Sequence, residues 1–295
     1  MPTLSVILPV RNGERFISAA IRSTLSAMPR DSELVVLDDG STDRTPEILD
    51  GISSARVRVL RGAGNGVAGA LNTLIECTQS EYVARMDADD IVLPMRFTTQ
   101  LSVLSRGVDF SFLPVFHLGP SRFKVRPTRI NRMGPGELRL RLLLDNPVAH
   151  STLVCRRAAI EELGGYREVC SEDYDLWMRA AASGYRLHRG NIPGLLYRHH
   201  DAQVTASTSW LEESRVEPLL AAAHDDLSAK QLGISFQCID AIRRPSLATS
   251  ECIDRGSVMV DRIIALARQQ LSPPAVRRLS ARADAIASAW RARSC

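Results

Sequence analysis

Three carboxylates, Asp87, Asp89 and Asp90, close the apolar stretch from Tyr82 to Met86, and a second acidic turn, Asp38-Asp-Gly-Ser-Thr-Asp43, follows the apolar run from Leu34 to Leu37. Carboxylates placed this close repel one another unless a cation or a ligand hydroxyl offsets their charge. A hard divalent cation suits such a set, because Mg2+ or Mn2+ is commonly held by one or two carboxylates while substrate phosphates fill other positions. Both turns fall at strand ends of one alternating array, and parallel sheets bind ligands outside the carboxyl ends of their strands. The pattern points to a bound metal and a nucleotide. Read singly, either turn is as well explained as a helix cap or a solvated loop; the pair is not.

The array that must position these acids is legible from periodicity. Leu4 to Val10 reads as a buried strand, and Phe16, Ile17, Ala20, Ile21 and Leu25 then recur at helical spacing after the Asn12-Gly13 turn. Leu34 to Leu37 is a second strand, followed by a short helix from about Thr45 to Ile52 with Pro46 near its start. Val57 to Leu60 is a third strand, Val67 to Cys77 an apolar helix, and Tyr82 to Met86 a fourth strand. Repeated β-α steps of this kind build a doubly wound, mostly parallel sheet flanked by helices. Pro94 opens a further helix and Val108 to Val115 reads as a strand, while Phe116 to Pro135, with Arg122, Lys124, Arg126, Arg129 and Arg132, reads as an irregular surface loop. After about Trp210 the pattern is helical. The expected organisation is a domain over residues 1–210, with a nucleotide-binding half (1–90) and an acceptor half (91–210), and a helical C-terminal appendage over 211–295.

Composition narrows the function classes. A chain of 295 residues that is 45% hydrophobic can bury a full core. No apolar run approaches the ~18–20 residues that span a bilayer, and Leu4 to Val10 lacks the basic flank of a signal peptide, so a cytoplasmic location is expected. Cys77, Cys155, Cys170, Cys238, Cys252 and Cys295 include no C-x-x-C pair and are expected as free thiols. The net charge of +4 is carried almost wholly by arginine, without the aromatic and basic interleaving that grips single strands, so nucleic acid is not an expected partner. Gly62 to Gly66 lacks the lysine of a P-loop and the spacing of a dinucleotide fingerprint, and reads as a turn. Arginines 277, 278, 282, 291 and 293 give the last helix a basic face, which fits either solvated packing on its own domain or peripheral contact with an anionic membrane.

Five segments in this order, Pro9-Val-Arg-Asn-Gly-Glu14, Asp38-Asp-Gly-Ser-Thr-Asp43, Ala84-Arg-Met-Asp-Ala-Asp-Asp90, Ser171-Glu-Asp-Tyr-Asp175 and Tyr197-Arg-His-His200, resemble the inverting family 2 glycosyltransferases of GT-A fold, over roughly residues 1–210. The resemblance implies a metal-dependent transfer of sugar from a nucleotide-diphosphate sugar, a UDP-sugar by default, to a hydroxyl of a glycan or lipid-linked saccharide. It assigns the donor pocket to Pro9, Arg11, Asp39, Arg85 and Asp87, and the Mn2+ or Mg2+ to Asp89 and His200. Asp173 takes the place of the catalytic base, with Glu172 and His150 on the acceptor side. Arg198 assists near the diphosphate. Members of the family often carry an aromatic residue where this chain has Arg11; a guanidinium plane can also stack on a base, so the identity of the base stays open.

Two other classes compete. A nucleotidyltransferase shares the nucleotide-binding pattern and the metal, but would carry a glycine-rich, basic phosphate loop near the N-terminus, which this chain lacks. A catalytically silent nucleotide-sugar-binding scaffold in a glycan-assembly complex would keep the fold, and the presence of every acid the reaction needs argues against it.

Overall fold

In the computed structural model, residues 2–119, 125–128, 130–200, 217–245 and 248–293 are described; the expected boundary at 210 and Arg122, Lys124 and Arg129 lie outside them. The chain runs β1 (Leu4–Val10), α1 (Ile17–Ala27), β2 (Ser32–Asp38), α2 (Thr45–Asp50), β3 (Val57–Arg61), α3 (Gly66–Glu76), β4 (Tyr82–Arg85), β5 (Ile91–Val92), α4 (Arg96–Leu104), β6 (Phe110–Phe112), β7 (Val115–Leu118) and β8 (Val125–Pro127). It continues through α5 (Pro135–Arg141), a 3-10 turn, β9 (Val154–Arg156), α6 (Arg157–Glu162), α7 (Glu172–Ala182), β10 (Leu187–Arg189), β11 (Leu195–Arg198), α8 (Pro218–Leu232), α9 (Ile239–Arg243), α10 (Ser250–Gln270) and α11 (Pro273–Arg293). These elements form two compact units, the first from residues 1–132, 148–168 and 188–207, the second from 133–147, 169–187 and 208–295. Residues 91–210 are thus shared between the units.

The first unit is built on a seven-stranded sheet in the order β10-β6-β9-β4-β1-β2-β3. β1 pairs in parallel with β2 and β4, and β2 with β3, whereas β9 runs antiparallel to β4 and β6. Leu4, Val6, Leu8 and Val10 turn one face of β1 into a core with Ile17, Ala20 and Ile21 of α1, and Ile7 is equally buried on the other face. Burial on both faces is why these strands read as continuous apolar runs. The strand order reverses at β1, with β2 on one side and β4 on the other, so the two acidic turns flank the carboxyl end of β1 at the switch point where such sheets bind ligands.

A second, four-stranded sheet, β5-β11-β7-β8, also belongs to this unit. It corrects two expectations. The single strand expected from Val108 to Val115 is two strands in different sheets, since Pro114 has no N–H to give a ladder and breaks the run. The stretch expected as an irregular loop contains part of β7 and all of β8, in which His117 registers against Arg126. Strands this short give no two-residue period to detect.

In the second unit, α7 buries Tyr174, Leu176, Trp177 and Met178 and packs against α8, which buries Leu220, Ala223 and Leu227, while α5 packs against α10 and α11. Trp290 of α11 lies against Gly256 of α10, where an added Cβ would stand 2.7 Å from the indole, and its Nε1 donates to the Ala241 carbonyl at 2.8 Å. The expectation of free thiols fails at one pair: Cys238 and Cys252 form a disulfide, while Cys77, Cys155 and Cys170 form none. The turn around α9 brings residues 14 apart in sequence together, a proximity that cysteine spacing does not announce.

The Gly62–Gly66 loop is more than a turn. It wraps Asp39, whose Oδ1 accepts the backbone N–H groups of Gly64 at 2.9 Å and Asn65 at 3.0 Å, while Oδ2 accepts that of Gly66 at 3.0 Å. Glycine is required because Gly64 and Gly66 have φ of +85° and +75°, and a Cβ on Gly62 would stand 2.7 Å from Asp39 Oδ1. Asp39→Ala removes the buried carboxylate that the N–H groups of the exposed Gly64, Asn65 and Gly66 share. It should lower stability by about 1–3 kcal/mol, read as the urea midpoint of the purified chain; a midpoint equal to wild type would show that the loop holds itself.

Candidate active site

The short turns after β1 and β2 are knitted together before any ligand is considered. Asp39 N–H donates to the Val10 carbonyl at 2.8 Å, Asn12 N–H to Ser41 Oγ at 2.8 Å, and Thr42 N–H back to Asn12 Oδ1 at 2.8 Å. Glu14 N–H donates to Asp43 at 3.0 Å and Arg44 N–H to Glu14 at 3.0 Å. Side chains substitute for the secondary structure that both turns lack, which fixes the backbone at the mouth of the sheet. Pro9 is half-buried in β1 opposite Leu37, and Arg11 stands exposed just beyond the strand. Asp38 is spent on Arg61 at 2.7 Å.

At the end of β4, one oxygen from each of Asp87, Asp89 and Asp90 lies within 4.8 Å of the others. Asp87 and Asp89 are half-buried, and Asp90 is 1% exposed. Burial, and then the charges of Asp87 and Asp89, push the Asp90 carboxyl well above the ordinary carboxylate range. Cationic groups surround the cluster. Arg85 pairs with Asp87, and the buried Arg96 guanidinium donates to the Arg85 carbonyl at 2.7 Å. Burial lowers Arg96 to about 9, against a smaller raising effect from Asp90.

The second sheet supplies the rest. At the end of β11, Arg198 donates its backbone N–H to Asp90 Oδ1 and its Nε–H to the Asp89 carbonyl, both at 2.9 Å. His200 Nε2 lies 2.7 Å from Asp89 Oδ2. Phe16 serves as a platform under both: the Arg198 guanidinium sits 4.6 Å from its ring centre and the His200 ring 5.1 Å away. Phe16 and the buried Arg96 were not singled out from sequence. Each read as one more member of a helical apolar or charged pattern, and no local signal separates them from their neighbours.

Carboxylate oxygens with one imidazole form a donor set that fits Mn2+ or Mg2+, and their mutual repulsion is what a cation would relieve. Asp87, Asp89 and Asp90 could hold such an ion, with His200 beside Asp89. Asp39 keeps one of a carboxylate's roughly four lone-pair sites beyond the three N–H groups it accepts.

The acceptor-side residues are distributed. His150, in the first unit, hydrogen-bonds the Tyr166 hydroxyl at 2.9 Å. Glu172 and Asp173 belong to the second unit, half-buried in the first turn of α7. Asp173 Oδ2 accepts from Asn146 Nδ2 at 2.9 Å and Oδ1 from the Tyr174 N–H at 2.7 Å. Asp175, the third acid in the first turn of α7, is fully buried and paired with Arg179 at 2.7 Å.

Comparison with known proteins agrees with this geometry. Residues 5–164 match the profile of Glycosyl transferase family 2. The chain is 31% identical over 207 residues to the putative glycosyltransferase EpsE of Bacillus subtilis, covering 67% of this chain and 72% of that one. It is 25% identical over 213 residues to an Escherichia coli protein named UDP-Glc:alpha-D-GlcNAc-diphosphoundecaprenol beta-1,3-glucosyltransferase WfaP, covering 70% and 81%. Its fold superposes on S. aureus TarS 1–349 in complex with UDP-GlcNAc with a TM-score of 0.61 at 16% identity, over 99% of this chain and 91% of the other. The sheet is therefore that of a GT-A fold, and the chain belongs to glycosyl transferase family 2.

Proposed function

We propose that the chain transfers a sugar from a nucleotide-diphosphate sugar to a hydroxyl of a glycan or lipid-linked saccharide, with inversion at the anomeric carbon and with Asp173 as general base. The observation that carries this reading is the cluster of Asp87, Asp89 and Asp90 at the end of β4, flanked by Arg85, Arg198 and His200. Such a mixture of acids and cations suits a ligand that brings both a diphosphate and a divalent ion. A UDP-sugar is the first donor to try, because the solved structural neighbour binds UDP-GlcNAc and one relative is named for UDP-Glc. That relative's named acceptor is a diphosphoundecaprenol-linked sugar, which favours a lipid-linked saccharide here as well.

In this mechanism Asp87, Asp89 and Asp90, with His200 beside Asp89, would hold a Mn2+ or Mg2+, which would neutralise charge growing on the departing nucleoside diphosphate. Arg85 and Arg198 add positive charge beside the same acids. Pro9, Arg11 and Asp39 line the base and ribose, with Arg11 able to stack its guanidinium plane on the base. The acceptor hydroxyl attacks the anomeric carbon as the bond to the phosphate oxygen breaks. Its proton passes to the Asp173 carboxylate, and the nucleoside diphosphate leaves with the electron pair. A carboxylate suits the task because an inverting displacement needs its base on the face opposite the leaving group. Glu172 and His150 orient the acceptor. Peripheral contact with an anionic membrane would fall to Arg277 and Arg291, which are exposed, since Arg278 and Arg282 are spent on Glu137 and Asp145. Among the described residues no helix is long and apolar enough to cross a membrane.

A thermal-shift screen of UDP, GDP, CDP and dTDP and their sugars tests the donor assignment, because a ligand that binds the folded state raises the melting temperature by mass action. One base should give a shift that requires Mn2+; no shift with any would overturn the donor and metal assignment. Asp89→Ala should abolish that metal-dependent shift, and its survival would remove Asp89 from the metal site. Asp173→Asn should keep the shift yet lose transfer by about 10²–10⁴-fold, as removal of a general base does. A near-wild-type rate would assign the base elsewhere.

A further inference from the structure

The grip on Asp173 is built from parts of the chain far from it in sequence. α7 begins at Ser171, whose Oγ accepts a hydrogen bond from Arg243 of α9 at 3.0 Å. On another side, Tyr174 of the same first turn donates its hydroxyl to the Leu142 carbonyl at 2.5 Å, tying α7 to the segment that follows α5. That segment is itself held by charge: Arg141 grips both oxygens of Asp145, and Arg282 of α11 places Nε 2.9 Å from Asp145 Oδ2. The Arg282 N–H is not aimed along that line, so this is a charge pair and not a hydrogen bond. The next residue is Asn146, whose amide nitrogen stands 2.9 Å from Asp173 Oδ2.

An ionised carboxylate can only accept hydrogen bonds, so it is the NH2 end of the Asn146 amide that must face it. A neutral donor here orients the carboxylate without the cost a lysine or arginine would bring, since a full positive charge would make the base harder to protonate. Asp173 Oδ2 accepts from Asn146 and Oδ1 accepts from the Tyr174 N–H, so both oxygens are tied to named groups of the second unit. We infer that Asn146 is a positioning residue for Asp173: it sets the rotamer in which the carboxylate meets the acceptor hydroxyl, and the Arg282–Asp145 pair of the C-terminal helices sets Asn146. This rests on the assignment of Asp173 as base.

The test uses the full chain and UDP release from UDP-glucose in Mn2+, with Asn146→Ala, the isosteric Asn146→Asp, Asp173→Asn and the double variant Asn146→Ala/Asp173→Asn. Asn146→Ala should lower kcat by about 10–10²-fold, the scale of a misplaced reacting group, with the donor KM unchanged. Asn146→Asp, which fills the same space but faces a carboxylate with a carboxylate, should lose at least as much. In the Asp173→Asn background Asn146→Ala should cost nothing further. Losses that multiply in the double variant, or a change in KM alone, would overturn the inference while leaving the base in place. An unaffected Asp173→Asn enzyme would overturn the base assignment instead. Crystal structures of wild type and Asn146→Asp add a readout that needs no substrate: the Asp173 side chain should leave its wild-type rotamer, and an unchanged rotamer counts against the inference even if UDP-glucose is not turned over.

Discussion

Electrostatic repulsion among Asp87, Asp89 and Asp90 is the constraint around which the first unit is arranged. Three carboxylates with oxygens inside 4.8 Å of one another, one of them almost fully buried, would not stay together on a bare strand end. Asp87 is met by Arg85 of its own strand, Asp89 and Asp90 by Arg198 and His200 at the end of β11, and the buried Arg96 holds the Arg85 carbonyl. The second sheet therefore has an electrostatic purpose as well as a packing one, because β11 delivers the two groups that touch Asp89 and Asp90. Burial, and then the charges of Asp87 and Asp89, still hold the Asp90 carboxyl above the ordinary carboxylate range.

The second unit solves a different problem, the fixing of a helix start. The first turn of α7 carries Glu172, Asp173 and Asp175, acids that a helix N-terminus favours. Only Asp175 is buried completely, and it is neutralised one turn later by Arg179. The surrounding helices grip the same turn through polar contacts, Arg243 on Ser171 and Tyr174 on Leu142, while Arg278 clamps Glu137 with two hydrogen bonds of 2.7 and 2.6 Å. Partly buried ion pairs of this kind add little net stability, but they select one geometry over its neighbours. The C-terminal helices are in this sense part of the frame that holds α7.

Donor and acceptor choice belong to neither frame. A GT-A sheet with acids at its switch point is compatible with many nucleotides and many sugars, since function resides in the side chains grafted onto a fold.

The nucleotide-binding half was legible in the sequence because its information is local. Strands buried on both faces write continuous apolar runs, amphipathic helices write a 3.6-residue period, and acids at strand ends follow directly from the two. That logic reached β1 to β4, the two acidic turns and the acid-rich start of α7. It stopped where a residue's role is set by something distant. Asp39 and the glycine loop meet because β2 and β3 are neighbours, Arg96 counts because it is buried near Asp90, and Asn146 counts because the segment after α5 is tied to the first turn of α7. The same holds for the Cys238–Cys252 bridge and for the short strands β7 and β8. Periodicity reports which face of an element is apolar; it carries no record of which side chains a long loop brings within hydrogen-bond reach, and only the folded chain decides that.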